Sequence, residues 1–464
     1  MKKSKLFKVF SLFTLAITSV FTLAACNVEV EDEAHTIVFY HTMGDSLQKV
    51  LQTAIDDFEA DHEGWKIQSS AIGGYDDVKK AVIGDLQGQM QPNLTYCYAD
   101  HVAQYLTTGK VIDLNKYINS SNGFTAAEIA DFIPGYYNEG KATNYANYEQ
   151  YGYSADSMLT LPYVKSTEVL YYNATALKAA GVTKIVKDAE GNDVEVVDVP
   201  ETWDELWAAC RKVKAKYPNC TPLGYDSEAN WIITMCEQNG WGYTSADPNN
   251  HFLFNNESLV NWLDDINEKY LEGLVITQEV YGSYTSGLFT KGAEEGSVFS
   301  IGSTGGASHQ ASTKFTWGVA PIPGVEQEDG TIYRRAISQG PSLCMFECDG
   351  ANGDEREDMT WEFVKYLLDP TFLCKFSMAS GYNPPRASAF EVTDYQTFLE
   401  DTSNIVAVTA NVAKEMTPYY FTSPAFVGSS TARDEMNAAL TYVLKGNKTG
   451  AKALADAYKN CGGR

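Results

Sequence analysis

Between residues 35 and 98 the chain alternates strand-like and helix-like patterns, and that alternation limits the fold more than any other feature. HTIVFYH (35–41) is β-branched and aromatic, the composition of a buried strand. Over 46–59, Leu47, Val50, Leu51, Ile55 and Phe58 recur at helical spacing. WKIQ (65–68) begins a second strand, 75–88 reads as a second helix and 93–98 as a third strand. Strand, helix, strand, helix, strand predicts an α/β layer built on a parallel sheet.

The rest is read in the same way. Tyr136, Tyr137, Tyr145, Tyr148, Tyr151 and Tyr153 crowd one segment among Gly and Asn. TLPYVKSTEVLYYN (160–173) reads as one long extended run. A helix is expected over 202–217, with Thr202 as N-cap and Glu205 completing a capping box, and another over 257–270. GSVFSIGSTGG (296–306) reads as a strand entering a glycine-rich turn. Strands are expected over 315–323 and 336–346, and helices over 358–368, 371–380 and 430–458. The length suggests two or three domain-sized units, and no internal repeat is visible.

The amino-terminal region sets an address. Lys2, Lys3, Lys5 and Lys8 precede an apolar run over 9–25 that ends in Leu23-Ala24-Ala25-Cys26. This is the pattern of a secretion signal whose cleavage leaves a cysteine first, ready for a lipid. Ser11, Thr14, Thr18, Ser19 and Thr22 make the run marginal for a hydrocarbon core about 30 Å thick, so a transmembrane anchor is the poorer reading. The expected result is a bacterial lipoprotein, anchored to the membrane through Cys26 on the extracellular face, with 26–35 as an acidic tether.

Residues 1–25 hold four of the 35 basic residues and none of the 60 acidic ones, so the formal charge of −25 becomes −29 without them. Nucleic acid is excluded as a partner by that balance. Nine cysteines are present without a CxxC pair. Cys344 and Cys348, four apart on a strand, would lie about 13 Å from each other, beyond disulfide reach. The cysteines therefore read mostly as small core residues. The six histidines have no ligand spacing, so neither a metal nor a cofactor is expected.

No nucleophile motif has the right context. GxSxG is absent, and the glycines at 302, 305 and 306 are followed by no GK[ST]. The chain is therefore not read as an enzyme, although a secreted glycan-active enzyme with two unassigned carboxylates is the competing class. The positive signal is aromatic. Tyr40, Tyr75, Tyr96, Tyr98, Trp231, Trp241, Tyr382, Tyr419 and Tyr420 fall in predicted loops and strand ends. Flat rings pack on the C–H faces of sugars, and open α/β sheets bind ligands at strand ends.

Several segments, in order, resemble the extracellular solute-binding proteins of family 1, the carbohydrate-type receptors of ABC importers. They are IVFYHTMGDSLQKVLQTAIDDFEADHEGWKI, GGYDDVKKAV, LPYVKSTEVLYYNATALKAAGV, the Pro200–Leu206 helix start, GSVFSIGSTGG, WGVAPIPG, SQGPSLCMF, SGYNPPRASAF and SSTARDEMNAALTYVLKGNKTGAKAL. The wording is nearest the glycerol-3-phosphate-binding and maltose-binding branch. The resemblance implies a two-lobe periplasmic-binding-protein-like α/β fold of type II, each lobe a mixed sheet flanked by helices, with hinge strands between the lobes. Its expected boundaries are 36–166 and 303–349 for lobe 1, and 167–302 and 350–464 for lobe 2. It implies a monomer that binds a small carbohydrate in the inter-lobe cleft and delivers it to the transmembrane subunits of an ABC permease.

Carried over by position, His41, Thr42 and Met43 would line the cleft after the first strand, and Tyr75 would stack from the second loop. Asp100 would accept sugar hydroxyls. Ser166 would sit on the crossing strand, Trp231 in the second lobe, and Ser303 and Gly305 in the glycine turn, while Gly340 and Tyr382 would be contact positions. The phosphate branch has an arginine where FTSPAFVGSS places Ala425, and a glutamate where Ala99 stands. Arg386 and Arg433 resemble positions used structurally. A neutral sugar or oligosaccharide is thus expected ahead of glycerol-3-phosphate or a glycerophosphodiester.

Overall fold

A computed structural model describes residues 33–350 and 352–463. The signal segment, Cys26 and most of the tether lie outside the described residues. The predicted alternation forms one edge of a five-stranded sheet ordered Lys66–Ala71, Thr36–His41, Leu94–Cys97, Ser342–Met345, Leu161–Pro162. The first three strands are parallel, with Thr36 opposite Lys66 and His41 opposite Ala71. The last two run antiparallel to their neighbours. Ile37 and Phe39 are fully buried on Thr36–His41. The Asp45–Asp61 helix covers them with Leu51, Ala54, Ile55 and Phe58, the stripe that a 3.6-residue period demands. Each large side chain so buried contributes roughly 1.5–3 kcal/mol.

A second five-stranded sheet is ordered Trp317–Pro321, Glu168–Asn173, Phe299–Ser303, Leu223–Tyr225, Val275–Thr277. Glu168–Asn173 runs antiparallel to both neighbours, and the remaining pairs are parallel. The Trp203–Lys216 helix packs on it through Trp203, Leu206 and Trp207. Its start carries the expected capping box: Thr202 Oγ1 accepts from Glu205 N at 3.2 Å, and Glu205 Oε2 accepts from Thr202 N at 3.1 Å. Each sheet has its own hydrophobic core. The fold is therefore a two-lobe α/β arrangement.

The lobes are joined by crossing segments that hydrogen-bond to one another. Ser166 N donates to Gln339 O at 2.9 Å and Gln339 N to Ser166 O at 2.8 Å. Lys165 and Asn383 make a second reciprocal pair at 2.8 and 2.7 Å. Gly340 sits in this crossing at φ +87°, where a Cβ would lie 2.3 Å from Val164 O. Only glycine fits that approach.

Three expectations are corrected here. The run 336–346 is not one strand: Ala336–Ile337 pairs with Tyr420–Phe421, while Ser342–Met345 belongs to the first sheet. The turn at Gly340 and Pro341 changes the direction between them. Residues 303–349 do not all join the first lobe, since Trp317–Pro321 pairs with Glu168–Asn173 in the second sheet, and residues 350–464 do not all join the second. Trp361, Phe363, Leu367 and Phe376, from Gly353–Leu367 and Pro370–Ser380, pack in the first core. Finally, 430–458 is two helices, Ser429–Leu444 and Gly450–Asn460, separated at Gly446, which has φ +69°.

Candidate functional site

The carboxyl ends of parallel strands in both sheets lead into the loops that form the cleft. Cys97 leads into Tyr98–Asp100, and Tyr225 into Asp226 and Ser227. Two cavities open between the lobes beside the crossing segments. One, of about 110 Å³, is lined by Tyr98, Asp100, Lys165, Gln339, Gly340 and Arg433, among others. The other, of about 390 Å³, is lined by Tyr75, Asp76, His101, Ser227, Ser430 and Arg433, among others. Tyr98, Asp100 and Arg433 face both.

The smaller cavity has a charged floor. Lys165, 2 % exposed, donates to Glu139 Oε2 at 2.6 Å and to Gly340 O at 3.3 Å. Ser338 Oγ donates to the other oxygen of Glu139 at 2.5 Å. This pair is internally neutral, so Lys165 is a structural cation. Around it lie Asn144, Thr160, Gln339, Thr422, Ser423 and Ser429, a lining rich in hydroxyls and amides. Such groups can exchange hydrogen bonds with a polyhydroxylated solute.

An aromatic wall closes the first-lobe side. Tyr75 and Tyr98 have ring centroids 4.3 Å apart. Tyr382 approaches Gly305 so closely that a Cβ there would lie 2.6 Å from the ring. Burial pushes the Tyr75, Tyr98 and Tyr382 hydroxyls above the ordinary phenol range, so they stay protonated donors. At the mouth, Lys79 donates to Asp76 at 2.6 Å and to Ser430 Oγ at 2.7 Å, linking the Tyr75–Gly88 helix to Ser429–Leu444.

Behind the second-lobe wall is a buried relay. Glu168 accepts from Tyr225 Oη at 2.7 Å and from Asn230 Nδ2 at 2.9 Å. Asn230 Oδ1 in turn accepts from Arg433. Burial pushes the Glu168 carboxyl up to about 7, against the lowering pull of its two donors and Arg433.

The sequence-derived residues divide clearly. Tyr75, Asp100 and Gly340 line the cavities. Tyr382 and Gly305 meet at the aromatic wall, with Ser303 Oγ accepting from Gly305 N at 3.2 Å. Ser166 serves the crossing through its backbone. His41 and Met43 are corrected: they are 1 % and 3 % exposed and turned inward, and His41 Nδ1 accepts from Met43 N at 3.2 Å. Burial pushes His41 down to about 4, so it is neutral there. Thr42, between them, is half-buried and lines neither cavity. Trp231 is also corrected. It is fully buried, stacked on Tyr225 at 4.5 Å and packed against Trp262 at 5.4 Å. It lies beside a different cavity, of about 260 Å³, within the second lobe.

Sequence reasoning missed Arg433 and the Lys165–Glu139 pair. Arg433, read as structural, lines the cleft. Arg386 is structural as expected, donating to Asp131 at 2.7 Å. Among the described residues, the cysteines are free, and all except Cys348 and Cys461 are buried, as the core reading required.

Residues 53–401 match the profile of the bacterial extracellular solute-binding proteins. The chain belongs to that family. It is thus a solute-binding protein of the class that serves ABC importers. The sn-glycerol-3-phosphate-binding periplasmic protein UgpB of Yersinia pseudotuberculosis is 25 % identical over 436 residues, covering 91 % of this chain and 90 % of that protein. Among solved structures, UgpB from Mycobacterium tuberculosis in complex with glycerophosphocholine has a TM-score of 0.70 at 17 % identity, covering 92 % and 97 %. An ABC substrate-binding protein from Listeria monocytogenes in complex with cycloalternan has a TM-score of 0.71 at 17 % identity, covering 92 % and 99 %. These likenesses agree with the two-lobe fold.

Proposed function

We propose that this protein is a lipid-anchored extracellular receptor that binds a sugar or oligosaccharide between its lobes and delivers it to an ABC permease. The observation that carries the reading is the cleft itself: hydroxyls, amides and an aromatic wall converge from both lobes around Asp100 and Gly340. A solute touching both walls favours closure about the crossing segments, which is how binding is reported to a partner. Lobe 1 consists of the first sheet with its helices, lobe 2 of the second. A permease would meet the edges that closure brings together.

A glycerophosphodiester or glycerol-3-phosphate is the second reading. The preference for a neutral sugar rested on the absence of a cation near Ala425, and Arg433 lines both cavities.

Thermal unfolding against a panel of saccharides and glycerophosphodiesters tests the receptor reading. Ligand at about 100 times its Kd adds about 2.7 kcal/mol. Tyr75→Ala removes one face of the aromatic wall at a half-buried position. It is expected to weaken solute binding roughly 10- to 100-fold while leaving the melting temperature nearly unchanged. Unchanged affinity by calorimetry would remove Tyr75 from the site. For the anchor, Cys26→Ser is expected to release the protein into the medium with binding intact, as cell fractionation would reveal. Retention of the variant on the membrane would overturn the lipoprotein assignment.

A further inference from the structure

The packed helix Glu228–Asn239 separates two spaces. Ala229 and Ile233, four residues apart, border the cleft cavities. Trp231, Met235 and Asn239, again at four-residue spacing, border the cavity of about 260 Å³ on the other side of the helix. That cavity shares no lining residue with the two cleft cavities. Its remaining walls come from the start of the Trp203–Lys216 helix, from the Glu257–Leu271 helix and from Gly324–Glu326.

Five of the eight tryptophans gather there: Trp203, Trp207, Trp231, Trp241 and Trp262. Core packing accounts for only part of this. Trp203 Nε1 donates to Gln238 Oε1 at 2.8 Å, whereas Trp231 Nε1 is buried and has no acceptor among the described residues. A buried donor without a partner is costly unless something else supplies one. Trp241 is half-buried, the most open of the five indoles. Lys269, 7 % exposed, holds its ammonium 5.3 Å from the centre of the Trp207 ring and pairs with Asp265. Asp204 and Glu326 add two exposed carboxylates at the rim.

The space falls just below the about 300–1,000 Å³ of drug-sized sites, so it suits a single small ring. Its polar groups select the kind of ring. An anion would meet Asp204 and Glu326. An organic cation would suit those acids, but it is opposed by Lys269 and brings no acceptor for Trp231. A neutral hydroxylated ring meets every demand: its oxygens accept, its hydroxyls donate to carboxylates, and its C–H face packs on indole. We propose that this cavity is an accessory site for one neutral glycosyl unit, separate from the cleft. The inference does not depend on the cleft-binding reading above.

Fluorine NMR of the intact protein labelled with 5-fluorotryptophan tests it, because no tryptophan lines either cleft cavity. Glucose, galactose and N-acetylglucosamine are the neutral probes, and choline is the cationic one. At least one sugar is expected to shift the Trp207, Trp241 and Trp262 resonances with a Kd of about 1 mM, too weak to add to a one-per-chain cleft isotherm. Trp65 and Trp361, in the first-lobe core, should not move. Trp241→Ala and Asp204→Asn should each weaken that binding about 10-fold. Asp204→Asn keeps the side-chain size, so it tests the site even if Trp241→Ala loses stability. Tyr75→Ala, in the cleft, should leave this binding within about twofold. Loss of the shifts in Tyr75→Ala would trace them to cleft closure, overturning the accessory site while the receptor reading stands. Shifts with choline alone would make the cavity a cation site, and no shift with any probe would make it a packing void. Either result contradicts the proposal.

Discussion

Lys165→Met is expected to destabilise the protein by about 3–5 kcal/mol, the largest single effect in the cleft. Lys165 is 2 % exposed and lies in the segment that crosses between lobes. Its ammonium donates to Glu139 and to Gly340 O, and Ser338 holds the far oxygen of Glu139. One carboxylate thereby ties the Pro134–Glu139 helix of the first lobe to two crossing segments. Removing the cation leaves that carboxylate desolvated and held only by Ser338. The double variant Lys165→Met/Glu139→Leu should regain much of the loss, because well-packed apolar residues replace buried ion pairs at little net cost. Urea denaturation of the two single variants and the double variant gives the coupling directly. A loss below about 1 kcal/mol for Lys165→Met would show the pair to be solvated.

The second large effect is a pH dependence. Glu168, fully buried, is pushed up to about 7 from an ordinary value of 4.5. Tyr225, Asn230, Asp226 and Arg433 are the polar and charged groups that face it, from the second sheet, the Glu228–Asn239 helix and the Ser429–Leu444 helix. Because its folded value is raised, the native state holds a proton that the unfolded chain has released between about pH 4.5 and 7. Stability from this group is therefore highest below that window and falls as pH rises through it. Above it, the buried carboxylate costs on the order of 3 kcal/mol. Glu168→Gln removes the titration. Its stability relative to wild type should rise between pH 5 and pH 8, read from paired thermal melts. A gap that is flat with pH, or that narrows, contradicts a protonated Glu168.

The elements that followed a local period were legible. Leu51, Ile55 and Phe58 mark the first helix, and Thr202 with Glu205 marks the start of another, because helix faces and caps are written within a few residues. The crossings were not legible. TLPYVKSTEVLYYN has no break in its extended character, yet Leu161 and Glu168 lie in strands of different sheets. Strand propensity reports extension, not which sheet accepts the hydrogen bonds. The run's two charges, Lys165 and Glu168, fall at the crossing and at the start of the second sheet's strand.

The site divided for the same reason. Tyr75, Asp100 and Gly340 follow strands or turns whose ends must face the cleft. Trp231 was misplaced because it was read in a loop or strand end and carried over by position, whereas it lies inside a helix whose faces are both packed. In Glu228–Asn239 every residue from Glu228 to Cys236 is buried. Arg433 was read as structural because nothing local in an amphipathic helix shows that its side chain faces the cleft or that Asn230, distant in sequence, accepts from it.

A solute held between the lobes would touch both walls of the cleft. Isothermal titration calorimetry of the intact protein with saccharides and glycerophosphodiesters tests it most directly. One solute per chain is expected to bind saturably and be recovered unchanged, with a negative heat-capacity change from closure of the cleft. Absence of binding across the panel, or release of cleavage products from a bound glycan, would contradict it.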